Sequence, residues 1–315
     1  MKVLVTPGEG AFSRPDDPFR HTARLHSSPA SGPSRDPHPV PGPFFRGHTQ
    51  TAGMEVFAVP GIPEVRPGDD VGAMIAERVD IEPGDVVCVA STIVSKAEGR
   101  GADLSSVPPT DRAERIARRI SEIAGEEKDP RFAQAVLEES DELLLEAPIL
   151  LAATRFGHIT VNAGIDRSNV PGWDLLLLPE DPTASARALH GTLDVPVIVT
   201  DTSGRPFRHG QRGVAVGWAG MPAARDWRGE RDREGRELDV TVQAVVDELA
   251  GAANLVTGEG DGGTPVAVVR DWEFGDHAGS DDLFREPERD LIRQALRAWS
   301  YADGATTHGE DDDTP

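Results

Sequence analysis

Pro196-Val197-Ile198-Val199-Thr200 is an apolar run that predicts a buried strand, and Asp201-Thr202 follow it directly. A second polar cluster, Asn162-Ala163-Gly164-Ile165-Asp166-Arg167-Ser168-Asn169, follows the apolar run His158–Val161 in the same way. A carboxylate at the end of a buried strand is costly unless it meets a cation. Two such carboxylates, Asp166 and Asp201, with hydroxyls and arginines nearby, predict a metal ion that holds phosphate oxygens.

Strands and helices alternate on both sides of these clusters. The predicted strands are Met54–Val59, Asp85–Ala90, Ile149–Ala153, His158–Val161, Trp173–Leu178, Pro196–Thr200, Gly213–Trp218 and Val266–Val269. The predicted helices are Asp70–Arg78, Asp111–Ala124, Pro130–Leu143, Pro182–Leu189, Val240–Leu255 and Glu286–Trp299. Trp173–Leu178 is apolar enough to be a central strand. Because the βαβ alternation is not regular, the order predicts a mixed α/β (α+β) fold and not a simple Rossmann sheet.

The charge composition is strongly acidic. The chain has 315 residues and a formal net charge of -22. Lysine occurs only at Lys2, Lys96 and Lys128, so arginine supplies nearly all the positive charge. Such a composition is typical of proteins from salt-accumulating halophiles, and the alternative is an acidic mesophilic protein. Either way, an acidic surface disfavours nucleic acid and anionic membranes as partners.

Cysteine content and hydropathy indicate the compartment. Cys88 is the only cysteine and lies in the apolar run Val86–Ala90, which predicts a buried inert thiol. No apolar run approaches the roughly 20 residues that a membrane helix needs. The N-terminus lacks the continuous apolar segment of a signal peptide, so we expect a cytoplasmic protein.

The two ends of the chain differ in composition from its body. Residues 1–53 are rich in Pro, Ser, His and Arg and show no apolar period, which predicts disorder. The alternative is that translation naturally starts at Met54 and that the extension is an annotation artefact. Residues 303–315 include Glu310-Asp311-Asp312-Asp313 and predict an acidic, disordered tail. Residues 54–302 are therefore the predicted functional domain.

Phosphate binding would have to use other means than the common nucleotide motifs, because neither a Walker A sequence nor a G-x-G-x-x-G after a strand occurs. Gly61–Glu64 is a turn after the first strand and could contact a ligand or be a turn only. Ser91 and Thr92 stand at the end of a predicted strand. Lys96, four residues after Thr92, could meet a phosphate as a point charge or face solvent.

A glycine-rich loop and an arginine-rich loop complete the candidate segments. Thr257–Thr264 contains four glycines, which let backbone N–H groups approach a phosphate, and its Glu259 or Asp261 could bind a metal. The alternative is a flexible connector. Three arginines follow Asp201 within one loop and indicate an anionic substrate, or else an ion-paired surface loop. They are Arg205, Arg208 and Arg212.

These segments, in this order, resemble the coenzyme F420-0:L-glutamate ligase family, the F420-0 gamma-glutamyl ligases, in its stand-alone archaeal and haloarchaeal form. The resemblance covers Met54 to Trp272, and no common fold repeats the set of motifs by chance. The motifs are Pro60–Pro63, Ser91–Lys96, Asn162–Asn169, Asp201–Arg208, Gly213–Gly217, Arg228–Arg236 and Val240–Ala250.

The resemblance implies an activity and an assembly. The family joins L-glutamate to coenzyme F420-0 and then a second glutamate through a gamma linkage, hydrolysing GTP to GDP and phosphate. It implies two divalent ions, Mg²⁺ or Mn²⁺, together with K⁺. The implied fold is the family's own α/β arrangement, a two-part subunit that forms an intertwined homodimer.

The resemblance also implies roles for individual residues. GTP would be contacted by Gly61, Ile62, Pro63, Glu64, Ser91, Thr92, Lys96 and Asn169, and wrapped by Thr257, Gly258, Glu259, Gly260, Asp261, Gly262, Gly263 and Thr264. Asp166 and Asp201 would hold the first divalent ion, and Thr202 and Glu259 the second. The predicted catalytic residues are Lys96, Arg205 and Arg208. The family often has an amide or another residue where this chain has Glu259.

Two other classes of function use the same residues. A metal-dependent phosphatase or nucleotide hydrolase would turn over GTP without F420-0 or glutamate. A non-catalytic GTP-binding module would bind the nucleotide and turn nothing over.

Overall fold

The structure is a computed structural model that describes residues 53–306, with the backbone alone for residues 299–306. The strands are β1 (Glu55–Ala58), β2 (Val86–Ala90), β3 (Gly101–Ala102), β4 (Ser140–Leu145), β5 (Leu151–Thr154), β6 (Ile159–Val161), β7 (Leu175–Leu176), β8 (Val197–Ser203), β9 (Arg212–Ala219), β10 (Ala224–Asp226), β11 (Val242–Gln243), β12 (Val266–Arg270) and β13 (Ala278–Ser280). The helices are α1 (Val71–Ala76), α2 (Ser91–Ala97), α3 (Asp111–Ala124), α4 (Pro130–Glu138), α5 (Pro182–Leu193), α6 (Val245–Thr257) and α7 (Leu291–Thr306). Short 3₁₀ turns lie at Leu104–Ser106 and Asn162–Gly164.

A five-stranded sheet in the order β1-β12-β2-β8-β9 forms the centre of the fold. Its one parallel pair is β2 and β8, in which Ala90 lies opposite Thr200, and the other neighbours are antiparallel. In the antiparallel pairs, Ala58 lies opposite Ala267 and Val266 opposite Val89. The carboxyl ends of β1, β2 and β8 therefore meet the amino end of β12 at one edge, which we call the carboxyl edge.

Both faces of the central sheet are covered. On β2, Val87 and Val89 belong to the core on one face, and Val86 and Cys88 to the core on the other. Helices α1, α2 and α5 contribute to the first core and α6 to the second. Burial on two faces explains why these strands are continuous apolar runs. It also raises the pKa of the Cys88 thiol to about 12, so the predicted buried thiol is confirmed.

A separate hydrophobic core joins α3 and α4 to β5 and β7. Helix α3 begins where the Thr110 hydroxyl accepts a hydrogen bond from the backbone N–H of Ala113, and it ends at Gly125, whose φ is 72°. Strands β4, β5 and β6 form an antiparallel sheet beside it, and β11, β10 and β13 form a small third sheet. Helix α7 is tied to β4 because Arg293 and Arg297 both donate to the Glu142 carboxylate.

The prediction of a mixed α/β fold is confirmed, and several element boundaries differ. The helix predicted over Pro130–Leu143 ends at Glu138, because the following residues pair with β5 as strand β4. The helix predicted from Val240 begins at Val245, since Val242 and Gln243 pair with β10. The helix predicted from Glu286 begins at Leu291.

Two predictions need larger corrections. Trp173–Leu178 is not a central strand, because only Leu175 and Leu176 belong to a strand, and they pair with β3 outside the central sheet. Helix α2 was not predicted at all, although it begins at Ser91, immediately after β2. The disorder predicted for both ends falls mostly outside the described residues and stays a prediction, although α7 runs to Thr306, past the predicted start of the tail.

Candidate functional site

The parallel pair β2 and β8 places a hydroxyl against a carboxylate at the carboxyl edge. Ser91 opens α2 directly after β2, and its Oγ donates a hydrogen bond of 3.3 Å to Oδ1 of Asp201 on β8. Strand β8 continues for two residues beyond Asp201, because Asp201 pairs with Val214 and Ser203 with Arg212. Asp201 therefore lies within the strand, and its backbone is fixed by the sheet.

Burial makes the charged form of the Asp201 carboxyl group electrostatically unfavourable. The residue as a whole is half-buried, yet desolvation of its carboxyl group is the main cause that raises its pKa from 3.8 to about 7. The negative charges of Asp166 and Glu259 act in the same direction, while the Thr202 backbone N–H and the Ser91 hydroxyl oppose it. The acidic side chains of Asp166 and Glu259 therefore repel the Asp201 carboxylate. A bound cation would compensate for this repulsion.

Asp166 follows a tight left-handed turn. Asn162, Ala163 and Gly164 have consecutive positive φ values of 57°, 53° and 71°. A Cβ at Gly164 would lie 2.4 Å from Cδ1 of Leu178, so only glycine fits there. Two non-glycine residues in this conformation are a sign of local backbone strain, which is often found at functional sites.

The Asp166 side chain closes a local turn of its own. Its Oδ1 accepts hydrogen bonds from the backbone N–H of Ser168 at 2.7 Å and from the Ser168 hydroxyl at 2.8 Å. Its backbone pairs with Leu176. This segment reaches the central sheet through the hydroxyls of Thr160 on β6 and Ser203 on β8, which lie 3.3 Å apart.

Thr202 and Glu259 are brought together by a third residue. The Thr202 hydroxyl donates to Oε1 of Glu259 at 3.0 Å. The amide of Asn254, in the last turn of α6, donates to the same oxygen at 2.7 Å and contacts the Thr202 hydroxyl at 3.4 Å. The two residues predicted to share a metal ion are therefore in direct contact, although they lie on a strand and a loop.

Lys96 and Glu64 form a partly buried ion pair. Lys96 Nζ donates to Oε1 of Glu64 at 2.6 Å, and only 6% of the Lys96 residue is exposed. The alternative that Lys96 faces solvent is therefore wrong. Two separate segments predicted to contact a nucleotide, one after β1 and one in α2, converge on this pair.

The two loops that flank β12 and β1 lie at the same edge. Val59, which precedes Gly61, donates its backbone N–H to the carbonyl of Val266 at 2.8 Å. In the glycine-rich loop, the Thr264 hydroxyl donates to the carbonyl of Thr257 at 3.1 Å. The positive φ values of Gly61, Gly258 and Gly263 give these loops their shape.

The other residues predicted to contact the nucleotide differ in their exposure to solvent. Ile62 and Thr92 are half-buried, whereas Pro63, Asn169, Gly260, Asp261 and Gly262 are exposed. Asn169 has a φ of 53°. The contacts of these residues with a nucleotide stay predictions.

The arginine-rich loop after β8 is open to solvent. Arg205 Nη2 donates to the carbonyl of His209 at 3.2 Å. Arg212 was predicted in the same loop but is the first residue of β9, where it pairs with Ser203 and lies 3.8 Å from the carboxylate of Asp247. Within residues 53–306, Arg208 makes neither an ion pair nor a hydrogen bond. Its guanidinium is thus free to meet an anion from outside the chain.

The acids of the site are neighbours without forming a compact ligand group. In the described range, no three His, Cys, Asp or Glu side chains lie close enough together to hold a metal ion as they stand. The oxygen donors of Asp166, Asp201, Thr202 and Glu259 are nevertheless the type that Mg²⁺ and Mn²⁺ prefer.

Among the described residues, no helix is both long and apolar enough to cross a membrane.

Two residues that hold the site together were missed from the sequence. Asn254 contacts both Thr202 and Glu259, but an asparagine near the end of a helix is normally interpreted as a capping residue. Asp247 accepts the backbone N–H of Ala215 at 2.9 Å, beside the irregularity where β9 loses register with β8. In the sequence, an aspartate in the first turn of a helix indicates only a favourable interaction with the helix dipole.

Comparison with known proteins gives consistent matches. Residues 61–271 match the family model described as F420-0:Gamma-glutamyl ligase. A coenzyme F420:L-glutamate ligase of Natronomonas pharaonis is 73% identical over 248 residues, which is 79% of this chain and 98% of the relative. One from Haloarcula marismortui is 71% identical over 254 residues, covering 79% of this chain and 99% of the relative. One from Archaeoglobus fulgidus is 46% identical over 250 residues, covering 78% and 98%.

Proposed function

Because the chain belongs to the F420-0:gamma-glutamyl ligase family, we propose that it joins L-glutamate to coenzyme F420-0 and then adds a second glutamate through a gamma linkage. We further propose that GTP supplies the energy. The observation that supports this is the convergence at the carboxyl edge of Asp201 with Ser91 and with the charges of Asp166 and Glu259. Such an arrangement suits a phosphate-bearing co-substrate with its metal ions.

The proposed chemistry has two steps. A carboxylate is a poor electrophile for an amine, so the acceptor carboxylate first attacks the γ-phosphorus of GTP. The bond between the γ-phosphorus and its bridging oxygen breaks, GDP leaves, and an acyl phosphate forms. The neutral amine of glutamate then attacks the acyl carbon, the carbon–oxygen bond breaks, and inorganic phosphate leaves with that oxygen while the amine loses a proton.

Lys96 has the role of a phosphate contact in this proposal. Its ammonium group already has one anionic partner, Glu64, whose side chain is 57% exposed. A phosphate oxygen can replace or share that partner, because the exposed carboxylate can return to water at little cost. The proposal is thus that Glu64 balances the charge of Lys96 until the nucleotide arrives.

The acidic residues of the site fit divalent cations. Asp166 and Asp201 would hold one ion, and Thr202 and Glu259 a second, either Mg²⁺ or Mn²⁺. When bound, such ions supply positive charge that stabilises a transferring phosphoryl group. The mutual repulsion that contributes to the raised pKa of Asp201 supports this fit, because a cation would reverse it. The proposed K⁺ rests on the family resemblance alone.

The arginine-rich loop is the proposed binding site for the acceptor. Arg208 is unpaired within the described residues, and Arg205 uses one nitrogen of its guanidinium for a backbone carbonyl. Guanidinium groups bind carboxylates and phosphodiesters with two parallel hydrogen bonds. We therefore assign the carboxylates or the phosphodiester of F420-0 to this loop.

The proposed assembly is an intertwined homodimer of two-part subunits in the cytoplasm, and family membership is its support. Light scattering at high salt tests the dimer. The expected mass is twice the 33.7 kDa of one chain, and a mass of one chain would overturn this part of the proposal.

The decisive test of the activity is product mass. The purified protein is incubated with F420-0, L-glutamate, GTP and Mn²⁺, and the expected product carries one or two additional glutamyl units, with one GDP formed per unit. Omission of glutamate is the control. GDP formation without any gain in mass would instead support the metal-dependent hydrolase, and nucleotide binding without turnover would support the non-catalytic module.

A further inference from the structure

Three elements meet at the side chain of Asn254. Its Nδ2 lies 2.7 Å from Oε1 of Glu259 and 3.4 Å from the hydroxyl of Thr202, and that hydroxyl donates to the same Glu259 oxygen at 3.0 Å. Thr202 is on β8, Asn254 in the last turn of α6, and Glu259 in the glycine-rich loop. The three side chains form a closed triangle of polar contacts.

The position of Asn254 is set by close packing of α6 on β9. Gly213 on β9 lies directly opposite Thr202 on β8. A Cβ at Gly213 would lie 2.4 Å from the carbonyl oxygen of Ala250 and 2.9 Å from Cβ of Asn254. Because glycine lets the helix approach the sheet at this point, the backbone of Asn254 lies close enough for its side-chain amide to contact Thr202 and Glu259.

An amide is a suitable group for this task. Its two N–H hydrogens can hold a carboxylate oxygen and a hydroxyl oxygen together without neutralising the carboxylate. A lysine or arginine in the same place would hold Glu259 equally well but would compete with a cation for its charge. Within the described residues, Glu259 uses only Oε1 for these contacts, so its other oxygen remains available to a ligand.

We propose that Asn254 is a positioning residue that holds Glu259 against Thr202, so that these two side chains together receive one divalent cation. The inference rests on the proposed function for the assignment of Thr202 and Glu259 as ligands. Groups that orient metal ligands typically change metal affinity by about 10–100-fold when they are removed.

The test is binding of Mn²⁺ itself, followed by electron paramagnetic resonance in the presence of GDP, where nothing turns over. The wild-type chain is expected to bind two ions. Asn254→Ala should weaken one of them by about tenfold or more and leave the other unchanged. Leu255→Ala is the matched control on the neighbouring helix position, whose side chain is 85% exposed, and it should bind Mn²⁺ as wild type does.

A second set of variants separates positioning from a loss of folding. Asn254→Gln keeps both N–H donors and should restore part of the affinity, while Asn254→Ala should keep the wild-type thermal midpoint because alanine favours a helix. Glu259→Ala should weaken the same ion, and adding Asn254→Ala to it should cause little further loss, since both act through one contact.

The outcomes distinguish this inference from the proposed function. Two ions bound equally tightly by wild type and Asn254→Ala would overturn the role of Asn254 even if the ligase reaction proceeds. Fewer than two ions bound by wild type would also overturn it. The expected pattern of Mn²⁺ binding without any glutamylated product would support Asn254 and overturn the ligase proposal.

Discussion

The hydroxyl of Ser91 donates a hydrogen bond of 3.3 Å to the carboxylate of Asp201, across the one parallel strand pair of the central sheet. This contact joins the residue that follows β2 to a residue within β8 through a neutral donor. A hydroxyl stabilises the carboxylate slightly but brings no positive charge, so the pKa of Asp201 stays raised at about 7. The protein residues around Asp201 therefore leave its charged carboxylate unfavourable at the place where a cation is proposed to bind.

The first prediction concerns the stability of Asp201→Asn. The folded-state pKa of about 7 lies above the ordinary value of 3.8, so as the pH rises the unfolded chain loses this proton first. The contribution of Asp201 to the free energy of unfolding therefore falls between these two pH values and is constant above them. Asparagine has no proton to lose and escapes this cost.

In a high-salt buffer with EDTA, Asp201→Asn should thus unfold at a higher temperature than wild type at about pH 8, by at least about 1 kcal/mol or 2–4 °C. Near pH 4 the two should differ little, and the variant should be inactive as a ligase at every pH. Calorimetry at both pH values is the measurement. A variant less stable than wild type at the higher pH would show that the charged Asp201 carboxylate is not a liability.

The second prediction concerns Lys96. Lys96→Met keeps the aliphatic length and removes the charge that is proposed to meet a phosphate, and its partner Glu64 can be solvated. We expect kcat/KM for GTP to fall by about 100-fold or more with little change in thermal stability. Steady-state kinetics with varied GTP gives the answer.

Lys128→Met is the matched control for this change. The ammonium nitrogen of half-buried Lys128 lies 4.4 Å from the centre of the Phe132 ring, which belongs to the core of α3 and α4. Lys128 has no proposed part in the reaction. Its variant should keep the kinetics of wild type. Equal losses in the two variants would mean that Lys96 acts through overall charge or folding.

The third prediction separates the acceptor from the nucleotide. Arg208→Ala removes a guanidinium that has no partner within the described residues, so stability should not change. KM for F420-0 should rise by about tenfold or more while KM for GTP stays constant. Arg233→Ala makes the same charge change at a side chain that is 95% exposed, and it should alter neither constant. If KM rises only for GTP, the loop serves the nucleotide.

The fourth prediction compares two glycines that face each other between β9 and α6. Gly213→Ala would place a Cβ 2.4 Å from the Ala250 carbonyl oxygen and should destabilise the protein by about 1–3 kcal/mol. Gly251→Ala lies inside α6 and meets nothing closer than 3.9 Å, so it should stabilise by about 0.5–1 kcal/mol. Urea unfolding measures both, and effects of the same sign would contradict the packing described for α6.

The elements that were predicted well carry their signals locally. Helix α3 was predicted at Asp111–Ala124 because its apolar residues recur at helical spacing, and in the structure Thr110 and Gly125 mark its two ends. Strand β2 was predicted from an apolar run that both faces of the sheet bury. The polar clusters also indicated that Asp166 and Asp201 act together, and their charges do interact, although Asp201 lies within β8 and Asp166 follows β6 of another sheet.

The elements that were missed depend on distant partners. The predicted helix Pro130–Leu143 has apolar residues at helical spacing, and its last residues become part of strand β4 only through pairing with β5. Helix α2 begins after Ala90 without a capping side chain, so no residue marks its start. Lys96 pairs with Glu64, and Asn254 contacts Thr202, although the members of each pair are far apart in the sequence. A single sequence does not reveal such contacts.

The most direct test of the account follows one oxygen atom. F420-0 labelled with oxygen-18 in its acceptor carboxylate is incubated with the protein, GTP, glutamate and Mn²⁺, and the phosphate and the product are examined by mass spectrometry. Transfer through an acyl phosphate predicts one labelled oxygen in the phosphate released with the first glutamyl unit. The phosphate released with the second unit should carry no label, because its acceptor carboxylate belongs to the unlabelled glutamate. If the first glutamyl unit is added and only unlabelled phosphate is released, the proposed mechanism is contradicted.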